Sequence, residues 1–379
     1  MTAIQPTTSP TTSPTAPSGA TSLAASTDVP AATLHDPARR DFGSDNYAGA
    51  HPEVVAAVAA ANGGHQTSYG ADVYTERLQG VLAEHFGRPV EAFPVFNGSG
   101  ANVVALQSML PRWGAVVCTE WAHINTDENA APERVAGIKL LPVVTSDGKL
   151  TPETLAARAG GRGDEHRAQP AAVSLTQSTE VGTCYTPDEI GALAETAHAL
   201  GLAVHVDGAR IANAAATLGL PLRAFTSDVG VDVVSLGGTK NGALGAEAVV
   251  VLEQSAVDGL RYLRKMDMQL ASKMRFVSAQ LLALYDGDLW LRSAAHANAM
   301  AARLRDALAT IPGVEIVLPV QANAVFAVLP PGVADRVRTR YWFYDWDGRP
   351  GMVRLMCSFD TTPADVDALA AAVAAAVAA

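Results

Sequence analysis

The stretch TPDEIGALAETAHALGLAVHVDGA, residues 186–209, places a helical pattern directly before a strand pattern. Thr186 suits the N-cap of a helix and Pro187 its first position, while Gly201 suits the place just past its end. The run LAVHVDGA that follows is short, apolar and rich in β-branched residues, which is typical of a strand covered on both faces. The stretch therefore predicts an α/β fold.

Similar apolar runs recur along the first two thirds of the chain, and helical patterns separate several of them. They are GAVVCTE (114–120), KLLPVV (139–144), AAVSLTQ (171–177), VDVVSLGG (231–238) and AEAVVVL (246–252). Strands that alternate with helices form mostly parallel sheets with helices on both faces. We therefore predict one large, mostly parallel sheet.

Beyond residue 253 the pattern changes. Two long helical stretches come first, at 253–285 and 288–308. Shorter strands and a last helix follow, at 314–320, 324–330, 352–359 and from Pro363. This mixture predicts a smaller α+β domain at the C-terminal end of the chain.

The domain prediction has three parts: an extension at 1–38, a large α/β domain at 39–285 and a small domain at 286–379. The extension is rich in Thr, Ser, Pro and Ala and carries almost no charge. It lacks the basic segment and apolar core of a signal peptide, so we expect a flexible extension. A processed targeting segment is the alternative.

Composition and charge narrow the classes of function. The 379 residues are 49% apolar and 17% charged, as in globular proteins. The net charge of −11 argues against binding to nucleic acid or to an anionic membrane surface. Cys118, Cys184 and Cys357 are far apart and odd in number, so we expect no disulfide framework, no metal site and a cytoplasmic location.

A glycine-bearing turn opens the segment FNGSGANVVAL, residues 96–106. The periodic run after the turn predicts a helix, whose first backbone N–H groups would face outward and could bind a phosphate. Glycines at Gly98 and Gly100 let the backbone approach an anion closely. A plain tight turn explains the same residues equally well.

An aspartate ends the predicted strand in HVDGARIANAA, residues 205–215. Because a buried, unpaired carboxylate is costly, Asp207 needs a partner. One interpretation is an N-cap for the helix that follows. The other interpretation is a carboxylate that faces a protonated ring nitrogen. Arg210 lies nearby in the sequence and could bind a second carboxylate through two parallel hydrogen bonds.

A lysine surrounded by small residues follows the next strand, in SLGGTKNGALG, residues 235–245. Glycines leave space around the Lys240 amine, and a desolvated lysine is a nucleophile for carbonyls. A solvated loop lysine explains the charge but not the small neighbours. A phosphate-binding turn, a strand-end aspartate and a lysine, in this order, are together what pyridoxal phosphate (PLP) requires.

From about Asp41 to Thr362 the chain resembles the threonine aldolase / β-eliminating lyase family of fold-type-I PLP enzymes, which share the aspartate aminotransferase fold. The matching strings are FGSDNYAGAHPEV (42–54), YGADVYTERL (69–78), FNGSGAN (96–102), AHI (122–124) followed by a glutamate, HVDGARIANAA (205–215), GGTKNG (237–242) and SKMRF (272–276). The string DGAR followed by ANA is the most specific of them.

The resemblance implies roles for the residues around the cofactor. It implies that Lys240 forms the Schiff base with PLP, that Asp207 pairs with the pyridine nitrogen, and that Gly98 and Ser99 hold the phosphate. His123 resembles the histidine that lies over the cofactor ring. A capping or buried structural histidine is the alternative at that position.

The resemblance also implies residues that bind the substrate. Arg210 resembles an arginine beside the cofactor and near the substrate carboxylate, Ser44 matches a serine at the substrate end, and Arg354 corresponds to an arginine that closes on the carboxylate. Arg275 resembles an arginine that reaches the phosphate of a neighbouring subunit. A homodimer or homotetramer with shared sites is therefore expected.

The sequence departs from the family in the segment that carries the candidate catalytic base. Typical members carry ENTHN, whose histidine is a candidate base for the β-hydroxyl, whereas this chain has TQSTEVG at 176–182. Glu180 takes roughly that place, as a base or as a structural residue. The lysine segment GGTKNG also differs from the commoner serine–lysine–glycine form.

The resemblance predicts a PLP-dependent aldolase that cleaves threonine or allo-threonine to glycine and an aldehyde. The catalytic residues would be Lys240, His123 and Glu180. Another PLP reaction on a small amino acid, namely β-elimination, racemisation or transamination, is the first alternative. A non-catalytic PLP-fold protein is the second.

Overall fold

The helix predicted at the start of 186–209 is present in the computed structural model, which describes residues 34–379. It runs from Pro187 to Ala199, and the Thr186 hydroxyl accepts a hydrogen bond from the Glu189 N–H. The Glu189 side chain accepts in return from the Thr186 N–H, so two donors at the helix start are satisfied. Of the predicted extension, residues 1–33 lie outside the described residues.

Strands form two sheets within the described part of the chain. They are β1 (Glu91–Val95), β2 (Gly114–Thr119), β3 (Lys139–Val143), β4 (Gln169–Thr176), β5 (Ala203–Gly208), β6 (Val233–Leu236), β7 (Glu247–Val251), β8 (Glu315–Ile316), β9 (Ala324–Val328), β10 (Tyr344–Asp345) and β11 (Met352–Met356). The first seven make the large sheet and the last four make the small one.

Helices connect the strands. They are α1 (Pro52–Ala61), α2 (Val73–Phe86), α3 (Gly98–Met109), α4 (His123–Thr126), α5 (Ala131–Arg134), α6 (Pro152–Arg158), α7 (Pro187–Ala199), α8 (Ile211–Leu218), α9 (Leu260–Met266), α10 (Arg275–Tyr285), α11 (Leu289–Ala309), α12 (Val333–Arg338) and α13 (Pro363–Ala378). Among the described residues, none of these helices has the length and apolar character needed to cross a membrane.

The large sheet has the strand order β1-β7-β6-β5-β4-β2-β3. Strands β3, β2, β4, β5 and β6 are parallel, while β7 runs antiparallel to β6 and β1. Neighbouring residues of β6 face opposite sides, because Val233 belongs to one apolar cluster and Val234 to the other. The predicted mostly parallel sheet with apolar layers on both faces is confirmed.

The sequence does not predict β1. Its residues EAFPV begin with a charge and include Pro94, so they do not read as an apolar β-branched run. Pro94 is tolerated because β1 is an edge strand, where a missing N–H need not break a ladder.

The predicted continuous helical stretch at 253–285 is wrong. It divides into α9 and α10, separated by residues 267–274. Gly259, with φ +64°, precedes α9, and Met268, with φ +62°, lies in the break. These left-handed conformations cannot be part of a continuous right-handed helix.

The small sheet has the order β10-β11-β9-β8 and is antiparallel throughout. Val325, Ala327, Val353 and Leu355 on one face pack with α11, α12 and α13 in one apolar cluster. Buried residues of the other face, including Phe326, belong to a separate cluster. Residues 40–379 form one compact unit. The boundary between 285 and 286 stays a prediction, and it lies between α10 and α11.

The three cysteines are buried free thiols. Cys118 lies in β2, Cys184 lies before α7, and Cys357 follows β11. Burial raises the pKa of each thiol to about 12, so all three are protonated at neutral pH.

Two glycines after β6 allow close backbone packing. A Cβ at Gly237 would lie 2.5 Å from the carbonyl oxygen of Ala209, and one at Gly238 would lie 2.4 Å from that of Ala246. Both obstacles are backbone atoms that cannot rotate away. Only glycine therefore fits at positions 237 and 238, which lead to Lys240.

We expect Gly237→Ala to lower the free energy of unfolding by about 1–3 kcal/mol, because the methyl group forces the backbone apart. Gly80→Ala is the matched control. Gly80 lies in the middle of α2 on its exposed side, and a Cβ there meets nothing within 4 Å. Gly80→Ala should therefore raise the free energy of unfolding by about 0.5–1 kcal/mol. Urea unfolding measures both, and an unchanged Gly237→Ala stability would contradict the packing argument.

Candidate active site

Asp207 and Lys240 lie at the same edge of the large sheet. Asp207 is near the end of β5, and Lys240 lies in the 3-10 turn Thr239–Asn241 that follows β6. The two strands are parallel, with Asp207 paired to Ser235. Because parallel strands end at one edge, both side chains line one cavity of about 370 Å³, here named the small cavity.

The Asp207 carboxylate is buried and hydrogen-bonded at both oxygens. Oδ2 accepts from the Asn102 side chain at 3.0 Å, and Oδ1 accepts from the Ala209 N–H at 3.1 Å. The next helix, α8, begins at Ile211 and has Arg210 at its N-cap. Asp207 is therefore not that N-cap, and its carboxylate lines the small cavity.

A chain of buried side chains joins Asp207 to His123. The Asn102 amide also donates to Glu128 Oε1 at 2.9 Å, and His123 Nδ1 lies 2.9 Å from the same oxygen. The Glu128 hydrogen bond raises the pKa of His123. The sequence motifs contain Asn102 and Glu128, but their role follows only from these contacts.

The glycine-bearing turn begins α3 as predicted. The Asn97 side chain accepts from the Gly100 N–H at 2.7 Å and caps the helix, and Gly98 and Ser99 line the small cavity. A Cβ at Gly98 would meet nothing within 4 Å, so the space above the turn is open. The unpaired N–H groups of this first turn suit an anion.

A second cavity, of about 630 Å³, adjoins these residues and is here named the large cavity. The predicted residues that line it are Ser44, His123, Glu180, Arg210, Lys240 and Arg354. His123 and Lys240 line both cavities, so the amine lies where the two meet.

Arg210 makes a buried, two-pronged ion pair with Asp45, at 2.7 and 3.0 Å. Burial alone would raise the pKa of Asp45, but the Arg210 guanidinium holds it below its usual range. The third arginine nitrogen, Nη1, lies 3.9 Å from Glu180. Arg210 is thus largely engaged by carboxylates of its own chain, and its role toward a substrate or cofactor stays a prediction.

Arg354 is held by aromatic rings. Its guanidinium lies 4.7 Å from the ring centre of Trp346 and 5.8 Å from that of Tyr344, and Nη2 donates to the Gly43 carbonyl at 3.3 Å. Burial, together with the charge of Arg210, lowers the pKa of Arg354. Its Nε is buried and has no partner among the described residues, so it keeps a donor free for an anion.

Ser44 lies beside the large cavity, whereas Arg275 lies away from both cavities. The Ser44 hydroxyl accepts from the Asn46 N–H at 3.1 Å at the start of a short 3-10 helix beside the large cavity. Arg275 donates to the Gly64 carbonyl at 3.2 Å and lines neither cavity of its own chain. Its predicted contact with a neighbouring subunit stays a prediction.

Comparison with known proteins agrees with this geometry. Residues 41–330 match the β-eliminating lyase family.

The chain belongs to the β-eliminating lyase family.

Relatives in this family cover most of the chain. It is 43% identical to a low specificity L-threonine aldolase of Pseudomonas sp. (strain NCIMB 10558), over 88% of this chain and 96% of the relative. A low specificity L-threonine aldolase of Pseudomonas aeruginosa is 44% identical, over 85% and 93% of the two chains. The solved structure of Leishmania major threonine aldolase matches with a TM-score of 0.83 and 27% identity, over 88% and 98%.

The contact between His123 and Glu128 predicts how substitution of Glu128 changes the histidine. With Glu128→Gln the pKa of His123 should fall toward its ordinary value, because a charged acceptor becomes a neutral one. In the native protein the contribution of the pair to stability is present at low pH and lost as pH rises through the His123 pKa. NMR titration of the imidazole measures the shift.

The histidine signal is assigned with His123→Phe. The signal of His198 is the internal control, because His198 contacts Asp232 at 3.0 Å and not Glu128. An unchanged His123 midpoint in Glu128→Gln would contradict the assigned cause.

Proposed function

We propose that the protein is a PLP-dependent aldolase that cleaves threonine or allo-threonine to glycine and an aldehyde. The names of the similar Pseudomonas and Leishmania proteins support this substrate class. The observation that carries the proposal is the place of Lys240, whose side chain lines both cavities. One amine can therefore serve a cofactor on one side and an amino acid on the other.

The residues of the small cavity fit PLP. Asp207 offers a buried carboxylate to a ring nitrogen, and the open turn at Gly98 and Ser99 offers backbone N–H groups to a phosphate. Lys240 offers the amine for a Schiff base. When bound, PLP supplies an electron sink for the electron pair released at the α-carbon. A volume of about 370 Å³ lies in the usual range of ligand pockets.

Asp207 would accept a hydrogen bond from the protonated ring nitrogen of PLP. Its two hydrogen bonds, from Asn102 and from the Ala209 N–H, fix the direction of the carboxylate. Asn102 can hold this place because its other N–H is fixed by Glu128. The orientation of the acid is thus set before any ligand enters.

Arg354 is proposed to bind the substrate carboxylate. It has an unpaired buried donor, and the rings of Trp346 and Tyr344 limit its movement. Arg210 and Ser44 line the same cavity and are proposed to complete the carboxylate site. A substrate held there presents its amino group toward Lys240.

Glu180 is proposed to take the proton of the β-hydroxyl. It lines the large cavity, and its carboxylate can accept a proton directly or through water. His123 is less suited as the base, because its raised pKa favours the protonated form. We assign His123 instead to a place against the cofactor ring.

The assembly is proposed to be a homodimer or homotetramer in the cytoplasm. Arg275 lies away from both cavities of its own chain, which fits a role toward a neighbouring copy. Three buried free thiols fit a reducing compartment.

The proposed reaction is tested by products and by Lys240→Ala. Purified protein with L-threonine, D-threonine and both allo isomers should yield glycine and acetaldehyde from at least one isomer. Keto acid with ammonia, or an inverted amino acid, would indicate elimination, transamination or racemisation instead. Lys240→Ala should abolish both turnover and the visible absorption of the lysine-bound cofactor. Lys139→Ala, at an exposed lysine of β3, is the control and should keep both.

The base is tested by comparing Glu180→Gln with His123→Phe. Glu180→Gln should lower kcat for threonine cleavage by about 10²- to 10⁴-fold, because the amide cannot accept the hydroxyl proton. Its cofactor absorption should persist. His123→Phe keeps a ring at that place and should have the smaller effect on kcat. A kcat in Glu180→Gln equal to that of the native enzyme would assign the proton to another group.

A further inference from the structure

Glu247 is a buried glutamate that the proposed reaction does not use. It is the first residue of β7, whose other residues are all apolar and buried. Its side chain lines the small cavity together with Lys240. Since a glutamate is rarely buried in a sheet without partners, its contacts indicate what it does.

The carboxylate of Glu247 holds the two residues that precede Lys240. Oε2 accepts from the Gly238 N–H at 2.9 Å, and Oε1 accepts from the Thr239 N–H at 3.2 Å. The Thr239 hydroxyl accepts from the Ala246 N–H at 3.1 Å, which ties the same residue to the start of β7. The Glu247 side chain therefore fixes the backbone of the two residues just before Lys240.

Other buried groups hold the same turn from its two ends. The Tyr285 hydroxyl donates to the Gly237 carbonyl at 2.6 Å. The Asn241 side chain donates to the Trp290 carbonyl at 2.8 Å. With Glu247 between them, the backbone on either side of Lys240 has little freedom to move.

Glu247 lies among other titratable groups. Burial raises the pKa of Glu247 to about 7, while its hydrogen bonds and the Lys240 charge act in the opposite direction. Burial, together with the Glu247 charge, raises the pKa of the Tyr285 phenol. Asp207, His123 and Glu128 are the other titratable groups that line the small cavity.

Each carboxylate oxygen of Glu247 accepts from one backbone N–H group. A glutamine has only one acceptor oxygen, so at this position it could hold only one of the two N–H groups.

We propose that Glu247 is a positioning residue that fixes the turn carrying Lys240. The inference rests on the proposed function only in taking Lys240 as the reactive amine. It requires neither threonine cleavage nor any particular base. Loss of one of the two hydrogen bonds that Glu247 accepts should change the reactivity of this amine even in cofactor-free protein.

The test is reductive methylation of lysines in the cofactor-free, full-length protein at one fixed pH. Mass spectrometry gives the labelling rate of Lys240 relative to Lys139, an exposed lysine in the same sample. Glu247→Gln should change this ratio by at least about fivefold, the value of one net hydrogen bond, because the amide keeps only one acceptor oxygen for the two backbone N–H groups. The labelling rate of Lys139 itself should not change.

Glu120→Gln is the matched control. Both oxygens of Glu120 accept from the Thr145 N–H, at 2.9 and 3.0 Å, and Glu120 lines neither cavity. It should leave the labelling ratio of Lys240 to Lys139 unchanged. A native ratio in folded Glu247→Gln, as judged by circular dichroism, would overturn the proposal.

If Glu247→Gln fails to fold, Glu247→Asp decides the question. Aspartate keeps the charge but is one methylene too short to reach both N–H groups. Capture of added PLP, followed by absorption, should then slow by at least about fivefold, the value of one net hydrogen bond. Capture at the native rate would overturn the proposal. Neither measurement depends on threonine turnover, so a failure here is distinct from a failure of the aldolase proposal.

Discussion

The hydrogen bonds of one buried carboxylate organise this site. Asp207 ends a central strand and would be costly to bury without donors, so Asn102 must reach it from α3. The same amide group holds Glu128, which in turn holds His123. Substitution of any of these four residues leaves a buried polar group without its partner. The cofactor side of the site is therefore one connected unit and not a set of independent residues.

Two cationic side chains in the two cavities are paired with carboxylates. Asp45 and Glu180 lie against Arg210, and Glu128 lies against His123. Arg354 differs, because aromatic rings and a carbonyl surround it and its Nε has no partner among the described residues. An arginine without a carboxylate partner, in a site where Arg210 has two, is well suited to an acid brought by the substrate.

The sequence predicts most of the sheet because buried parallel strands are continuous apolar runs. It does not predict β1, which contains Glu91 and Pro94, or the break before α10, which depends on backbone conformations. Asp207, Lys240 and the Gly98 turn could be found because strand ends and glycines mark them. The sequence also marks Glu247, which is a charged residue at the start of an otherwise apolar strand. No sequence pattern marks the pairing of Arg210 with Asp45, since only the fold brings these distant segments together.

The antiparallel course of β7 restricts the chain between Leu236 and Ala248. These two residues are paired across the sheet, so the segment that bears Lys240 is a closed loop with both ends fixed in a ladder. A loop of this kind cannot lengthen or slide without breaking strand pairing. Evolution could enlarge the protein at the outer connections of the sheet, but insertions at this edge would displace the amine from both cavities at once.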